Sequence, residues 1–158
     1  MERLKMTIAK HLKDSSLQSS RKKLFPLGIK KVLDFLPVIL LSSLYGTYLD
    51  LYFVGKGMYS FPVRPLPEIF TINLAFTLIG LPLMTLLFLS ICNKMKNWKI
   101  VVFILVLSLI MAVFEKQAEV LGFFVHHHSW KHLYSLFGYS LYLTIILLFD
   151  RFIRRIKK

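Results

Sequence analysis

Two carboxylates close a long apolar run. Glu115 and Glu119 follow residues 100–114, which carry no charge. At 1.5 Å per residue those 15 residues cover about 22 Å of helix, less than the roughly 30 Å hydrocarbon core of a bilayer. Glu115 is therefore expected inside the outer leaflet, with Glu119 one turn nearer the surface. A central charge costs about 2.5–3.5 kcal/mol on insertion scales, so Glu115 must be protonated, paired or hydrated. Candidate partners are Lys116, Arg64 and the histidines that follow the run. Lys116 points about 100° away from Glu115 but reaches Glu119 at i+3. Asp50 and Asn73 lie towards the outer ends of two other apolar runs. If these faces converge, Glu115, Glu119, Arg64, Asp50 and Asn73 form a buried polar cluster around an outward-facing acidic cavity. It reads either as a ligand or ion site or as polar glue that sets helix register.

The second group is His126, His127, His128 and His132. Three adjacent histidines cannot share one helix face, but His128 and His132 can, at i+4, and that spacing chelates transition metals. Glu119 would be a third ligand. There is no H-E-x-x-H, no clustered Cys and no second ligand pair, so no metal site is expected and His128 and His132 are only weak candidates. Exposed groups that change charge below neutral pH are the plainer reading. Ser135 follows His132 by three residues without a third group to orient the pair, so no catalytic residue is named. No phosphate-cradling loop or dinucleotide fingerprint is present, and no cofactor is expected. Asp150 with Arg154 at i+4 reads as a helix-end ion pair, and Asp34 beside Lys30 and Lys31 reads similarly.

The elements that must position these groups follow from composition. Of 158 residues 56% are apolar and 18% charged, against roughly 45–50% and 25% in soluble domains, and mean hydropathy is +0.60. A net charge of +13 would also suit a nucleic-acid binder, but not with this much Leu, Ile and Phe. Disorder is excluded by the hydrophobicity, and a disulfide scaffold by the single Cys92. The expected fold is all-α: an integral bundle of four transmembrane helices at about 32–54, 69–92, 100–124 and 133–153. Residues 1–29 form a basic leader, and residues 30–158 the transmembrane domain. All but four of the 21 Lys and Arg fall on one side of these spans; the exceptions are Lys56, Arg64, Lys116 and Lys131. The positive-inside rule then puts both termini in the cytoplasm, in the cytoplasmic membrane. The first apolar run is too long for a signal-peptide core and lacks a cleavage site, so it is expected to remain as a span. Trp98 and Trp130 read as interfacial anchors. Leu4, Ile8 and Leu12 among lysines read as a short amphipathic surface helix or as a positive tail that sets topology.

Inside the bilayer, small and polar residues mark helix contacts. Ser42, Gly46 and Asp50 share a face of the first span, Ser108, Ala112, Glu115, Glu119 and Gly122 one of the third, and Ser135, Gly138, Tyr139 and Tyr142 one of the fourth. Pro82 is expected to kink the second. The loop before it carries Pro62, Pro65 and Pro67 around Arg64, which makes it stiff and able to present Arg64 as a cap over the acidic cluster.

From Tyr48 onward the chain resembles a poorly characterised family of small multi-spanning membrane proteins from spore-forming Gram-positive bacteria. The resemblance rests on Gly57-Met58-Tyr59-Ser60-Phe61-Pro62-Val63-Arg64-Pro65-Leu66-Pro67, similar to a Gly-x-Tyr…Pro-Val-Arg…Pro pattern, on Glu115, and on Trp130 followed by Tyr134-Ser135. It covers about two-thirds of the chain and leaves out the leader. It implies a helical membrane protein, with no established activity or cofactor. The expected function is a non-enzymatic component that binds a membrane-protein partner, lipid or a second copy of itself. A small ion- or proton-linked transporter is the alternative, and a membrane enzyme on lipid or cell-wall intermediates the third. Beyond the lipid bilayer no partner is specified, and no nucleic acid is expected.

Overall fold

A computed structural model describes residues 27–128 and 130–157, with side chains from residue 32 onward. Residues 1–26 of the leader, with its amphipathic stripe, lie outside the described residues, and so do the side chains of the lysines beside Asp34. The chain divides into Met1–Asp34 and Phe35–Lys158. Of the first unit the described part is the opening of one helix, and everything below concerns the second.

The fold is all-helical. Helix α1 is Leu27–Gly55, a π-helical turn at Phe76–Gly80 leads into α2 at Leu81–Cys92, α3 is Asn97–Val120 and α4 is His132–Ile156; two short strands, β1 at Tyr59–Ser60 and β2 at Val125–His126, lie between them. Three helical segments, Val32–Gly55, Asn97–Val120 and His132–Ile156, are long and apolar enough to cross a membrane. Their outward surfaces are apolar: Leu44 on α1, Leu109 and Phe114 on α3 and Leu141 on α4 are all exposed. Such a surface suits acyl chains better than water.

The second expected span is shorter than read. Its helical part is Phe76–Cys92, 17 residues, or about 25 Å. Ile69 and Phe70 belong instead to the preceding loop, whose backbone is drawn back on itself. Arg64 donates to three of its carbonyls, Phe61 O, Phe70 O and Pro67 O, at 2.6, 2.6 and 3.0 Å. The helix starts where Asn73 caps it, its Oδ1 accepting from Phe76 N at 3.2 Å. The kink expected at Pro82 takes the form of the π turn immediately before it. The wider turn accommodates a ring that would clash with the carbonyl four residues earlier.

Helices α1 and α3 end in the same device. Gly57 and Gly122 have positive φ, 67° and 77°. At each, the glycine N–H and the next N–H turn back to the last helical turn: Gly57 N to Val54 O and Met58 N to Phe53 O, Gly122 N to Glu119 O and Phe123 N to Ala118 O. This pair of bonds is the Schellman motif. It stops α3 at Val120, short of the expected 124, and releases both chains as β1 and β2. The strands pair antiparallel, Tyr59 opposite His126 and Ser60 opposite Val125, and His127 N donates to Met58 O at 2.9 Å.

The core has a polar upper layer and an apolar lower one. Ser42 on α1, Thr85 on α2 and Tyr142 on α4 meet, with Ser42 Oγ 2.5 Å from Thr85 Oγ1 and 2.7 Å from Tyr142 OH. Gly46 makes room for this: a Cβ there would collide with Leu81 and lie 3.6 Å from Tyr142 OH. Below lie Phe88, Leu89, Ile104, Leu143 and Ile146, all buried. At the far end the Arg154 guanidinium bonds buried Asp150 at 2.8 Å and lies 4.9 Å from the Phe35 ring.

Candidate functional site: a carboxylate–imidazole cluster

Glu115 is in the last turns of α3, on the face turned towards α4. Its side chain is 9% exposed. Ser135 Oγ donates to Oε1 at 2.5 Å, and Tyr139 OH donates to Oε2. Ser135 and Tyr139 are four apart on α4, so one stripe of that helix serves both oxygens. Trp130 Nε1 donates to Ser135 Oγ at 3.0 Å, which leaves the Ser135 proton free to point at Glu115.

The third group at Glu115 is His126, delivered by the strand pair. Its Nε2 lies 3.0 Å from Glu115 Oε1 and its Nδ1 3.2 Å from Glu119 Oε1. His126 N also donates to Glu119 Oε1 at 3.2 Å. The imidazole is 5% exposed, yet neither ring nitrogen makes an aligned hydrogen bond: both carboxylates are close but out of line with the ring N–H directions. Aromatic rings enclose it. Trp130 stacks on it at 5.0 Å and 17°, and Phe124, Tyr59 and His132 present edges at 4.5, 6.3 and 5.7 Å.

Asp50 adjoins this box through Tyr59, whose hydroxyl donates to Oδ1 at 2.6 Å. Burial first, and then the Asp50 carboxylate, push the Tyr59 phenol above its ordinary value. It therefore stays protonated as the donor. Asp50 Oδ2 is buried without a hydrogen-bond partner.

The residues named from sequence divide. Glu115 and Glu119 come together on His126, with Asp50 behind Tyr59. Arg64 does not join them. Each of its three side-chain nitrogens donates instead to a carbonyl of its own loop, because a proline-rich turn leaves backbone acceptors without ladder partners. Asn73 is a helix cap. Lys116 is exposed. Among the candidates for balancing Glu115, the histidines supply the neighbouring group, His126, and the hydroxyls of Ser135 and Tyr139 supply the hydrogen bonds. His128 and His132 do not share a helix, since α4 begins at His132; His132 instead faces His126. Trp130, read as an interfacial anchor, is part of the box, whereas Trp98 is exposed. In place of an open acidic cavity, the structure has a carboxylate under a packed aromatic cap. His126 was named only as one of several histidines that could partner Glu115, and Tyr59 and Tyr139 were not named as site residues. Glu115, His126 and His132 each offer one ligating atom, all within 4.8 Å of one another.

Fold and site together define an all-helical protein with three apolar helices long enough to cross a membrane and a carboxylate–imidazole cluster where α3 and α4 meet the strand pair. No family model, no curated protein and no solved structure matches the chain.

Proposed function

We propose that this is a four-span component of the cytoplasmic membrane, with both termini inside, that works by binding at its outer end and neither conducts nor catalyses. Phe76–Cys92 would be the fourth crossing. Its 17 residues are at the short limit for a span, and the segregation of Lys and Arg favours an even number of crossings. The Pro62-Val63-Arg64 loop, Glu115 and Trp130 support its assignment to the family of small multi-spanning proteins from spore-forming bacteria.

One observation carries the reading: Glu115 and His126 are buried together above a bundle interior that is closed below them. Below the Ser42–Thr85–Tyr142 layer the buried side chains include Phe88, Leu89, Ile104, Leu143, Ile146 and Leu147, and the hydroxyl of Ser108, which is buried among them without a hydrogen-bond partner. Ser108 bonds to no neighbour, so among the described residues no continuous chain of hydrogen-bonded groups leads downward from Glu115. Ser135, the aliphatic hydroxyl on Glu115, accepts from Trp130 and lacks a base–orienter pair of the kind that activates a nucleophile.

Three experiments test this. In a Cys92→Ala background, Lys56→Cys and Lys131→Cys should react with a membrane-impermeant maleimide in intact cells, and Lys94→Cys and Arg155→Cys only after permeabilisation. In proteoliposomes the protein should pass no protons, Na+ or K+. Thermal stabilisation by one member of a panel of amines, phospholipids and divalent metals should be present in wild type and absent in Glu115→Gln. A flux abolished by Glu115→Gln would replace binding by transport.

A further inference from the structure

We propose that Glu115, His126 and His132 together hold one divalent transition-metal ion of the zinc class, which names the ligand of the binding site proposed above and rests on that reading. Two imidazoles and a carboxylate are a recognised zinc donor set that leaves a fourth position for water or a further ligand. Hard cations such as Ca2+ and Mg2+ prefer oxygen alone, so the imidazoles select for zinc, copper, nickel or cobalt.

Three observations converge. The ligating atoms of the three residues lie within 4.8 Å of one another. Tetrahedral bonds of about 2.0–2.1 Å put donor atoms about 3.3 Å apart, and His126 Nε2 and Glu115 Oε1 are already 3.0 Å apart. His132 is exposed at the first position of α4, so rotation of its side chain can bring its ring nitrogen the remaining distance.

The second observation is His126 itself. A buried imidazole is expected to have its nitrogens satisfied, and here neither makes an aligned hydrogen bond. A metal on Nε2 would satisfy one. Glu119, 3.2 Å from Nδ1, would take the other, which is the carboxylate–histidine–metal arrangement that fixes tautomer and ring orientation.

The third is the outer layer of support. Glu115 is oriented by Ser135 and Tyr139, and Ser135 by Trp130. His126 is held by the strand pair and by the Trp130 stack. Ligands anchored in this way bind without first being ordered.

The test uses the full chain in nanodiscs, titrated with Zn2+ and with Co2+. Wild type should bind one ion per chain by elemental analysis, with Co2+ giving visible ligand-field bands. In a Trp98→Phe background Co2+ should also quench Trp130. His132→Ala, an exposed change that leaves the packing intact, should lose stoichiometric binding and quenching. Glu119→Gln should weaken Zn2+ by about 10–100-fold, as loss of an outer-shell partner does. His128→Ala should bind as wild type does. The proposal is overturned if neither metal binds, or if His132→Ala binds as well as wild type. If metals fail while another ligand still gives Glu115-dependent stabilisation, only the metal assignment falls. If Glu115-dependent flux appears, the binding reading falls too.

Discussion

Tyr59 and His126 face each other across a two-residue antiparallel ladder, 67 residues apart, in a fold whose long elements among the described residues are helices. The ladder is the smallest sheet that can exist, and it decides the chemistry at this end of the molecule. It sets Tyr59 on Asp50 and His126 on Glu115, and so joins two carboxylates from different helices through one aromatic box. The two Schellman glycines make it possible by turning both chains out of their helices towards each other.

Arg64 and Glu115 should behave as independent sites. Arg64→Ala removes charge-assisted bonds to three carbonyls and should cost about 1.5–3 kcal/mol, with faster proteolysis within residues 61–74. Because the two residues share no partner, the Arg64→Ala/Glu115→Gln double-mutant cycle should be additive within about 0.5 kcal/mol. Coupling of several times that size would restore Arg64 as the counter-ion of Glu115.

Gly46 and Gly138 should respond oppositely to added bulk. Gly46→Leu drives atoms into Leu81 and Tyr142, and overpacking of this kind costs about 1–3 kcal/mol. A Cβ on Gly138 meets nothing within 4 Å, so Gly138→Ala should be neutral or stabilise by up to about 1 kcal/mol through helix propensity. Thermal melts in one detergent would compare them. A destabilised Gly138→Ala would mean that this face is already covered, for instance by a second copy.

The Ser42–Thr85–Tyr142 knot should show coupling. Interhelical hydrogen bonds in membranes average about 0.6 kcal/mol, and these three share atoms. Ser42→Ala with Tyr142→Phe should therefore cost less than the sum of the single changes. Strict additivity in denaturant titrations would show that the hydroxyls bond elsewhere.

Arg154→Ala should destabilise more than an exposed ion pair would. Asp150 is 3% exposed against 43% for Arg154, so the change strands a buried carboxylate and also removes the guanidinium beside Phe35. A loss of about 1–2 kcal/mol is expected, and Asp150→Asn in the same background should recover part of it. No recovery would assign the effect to the lost Phe35 contact.

The sequence alone determined what hydrophobicity and periodicity can state. Runs of apolar residues mark helices because a membrane leaves the backbone no other partner for its own hydrogen bonds. The stripe through Ser42, Gly46 and Asp50 turns inward because lipid gains nothing from it, and an acid at the depth of Glu115 must be compensated. Which of Lys116, Arg64 and the following histidines lies beside it was left open. Arg64 was one of the charges at hand, and only the folded loop reveals that each of its three side-chain nitrogens donates to a backbone carbonyl. His126 lies seven residues beyond Glu119, past a glycine that breaks the helical phase, so no spacing rule connects it to Glu115. The pairing of two loops, the choice of hydroxyls over an arginine and the replacement of His128 by His126 as the partner of His132 were decided by tertiary structure. Each depends on where separate segments meet in space, and periodicity along one chain carries no such information.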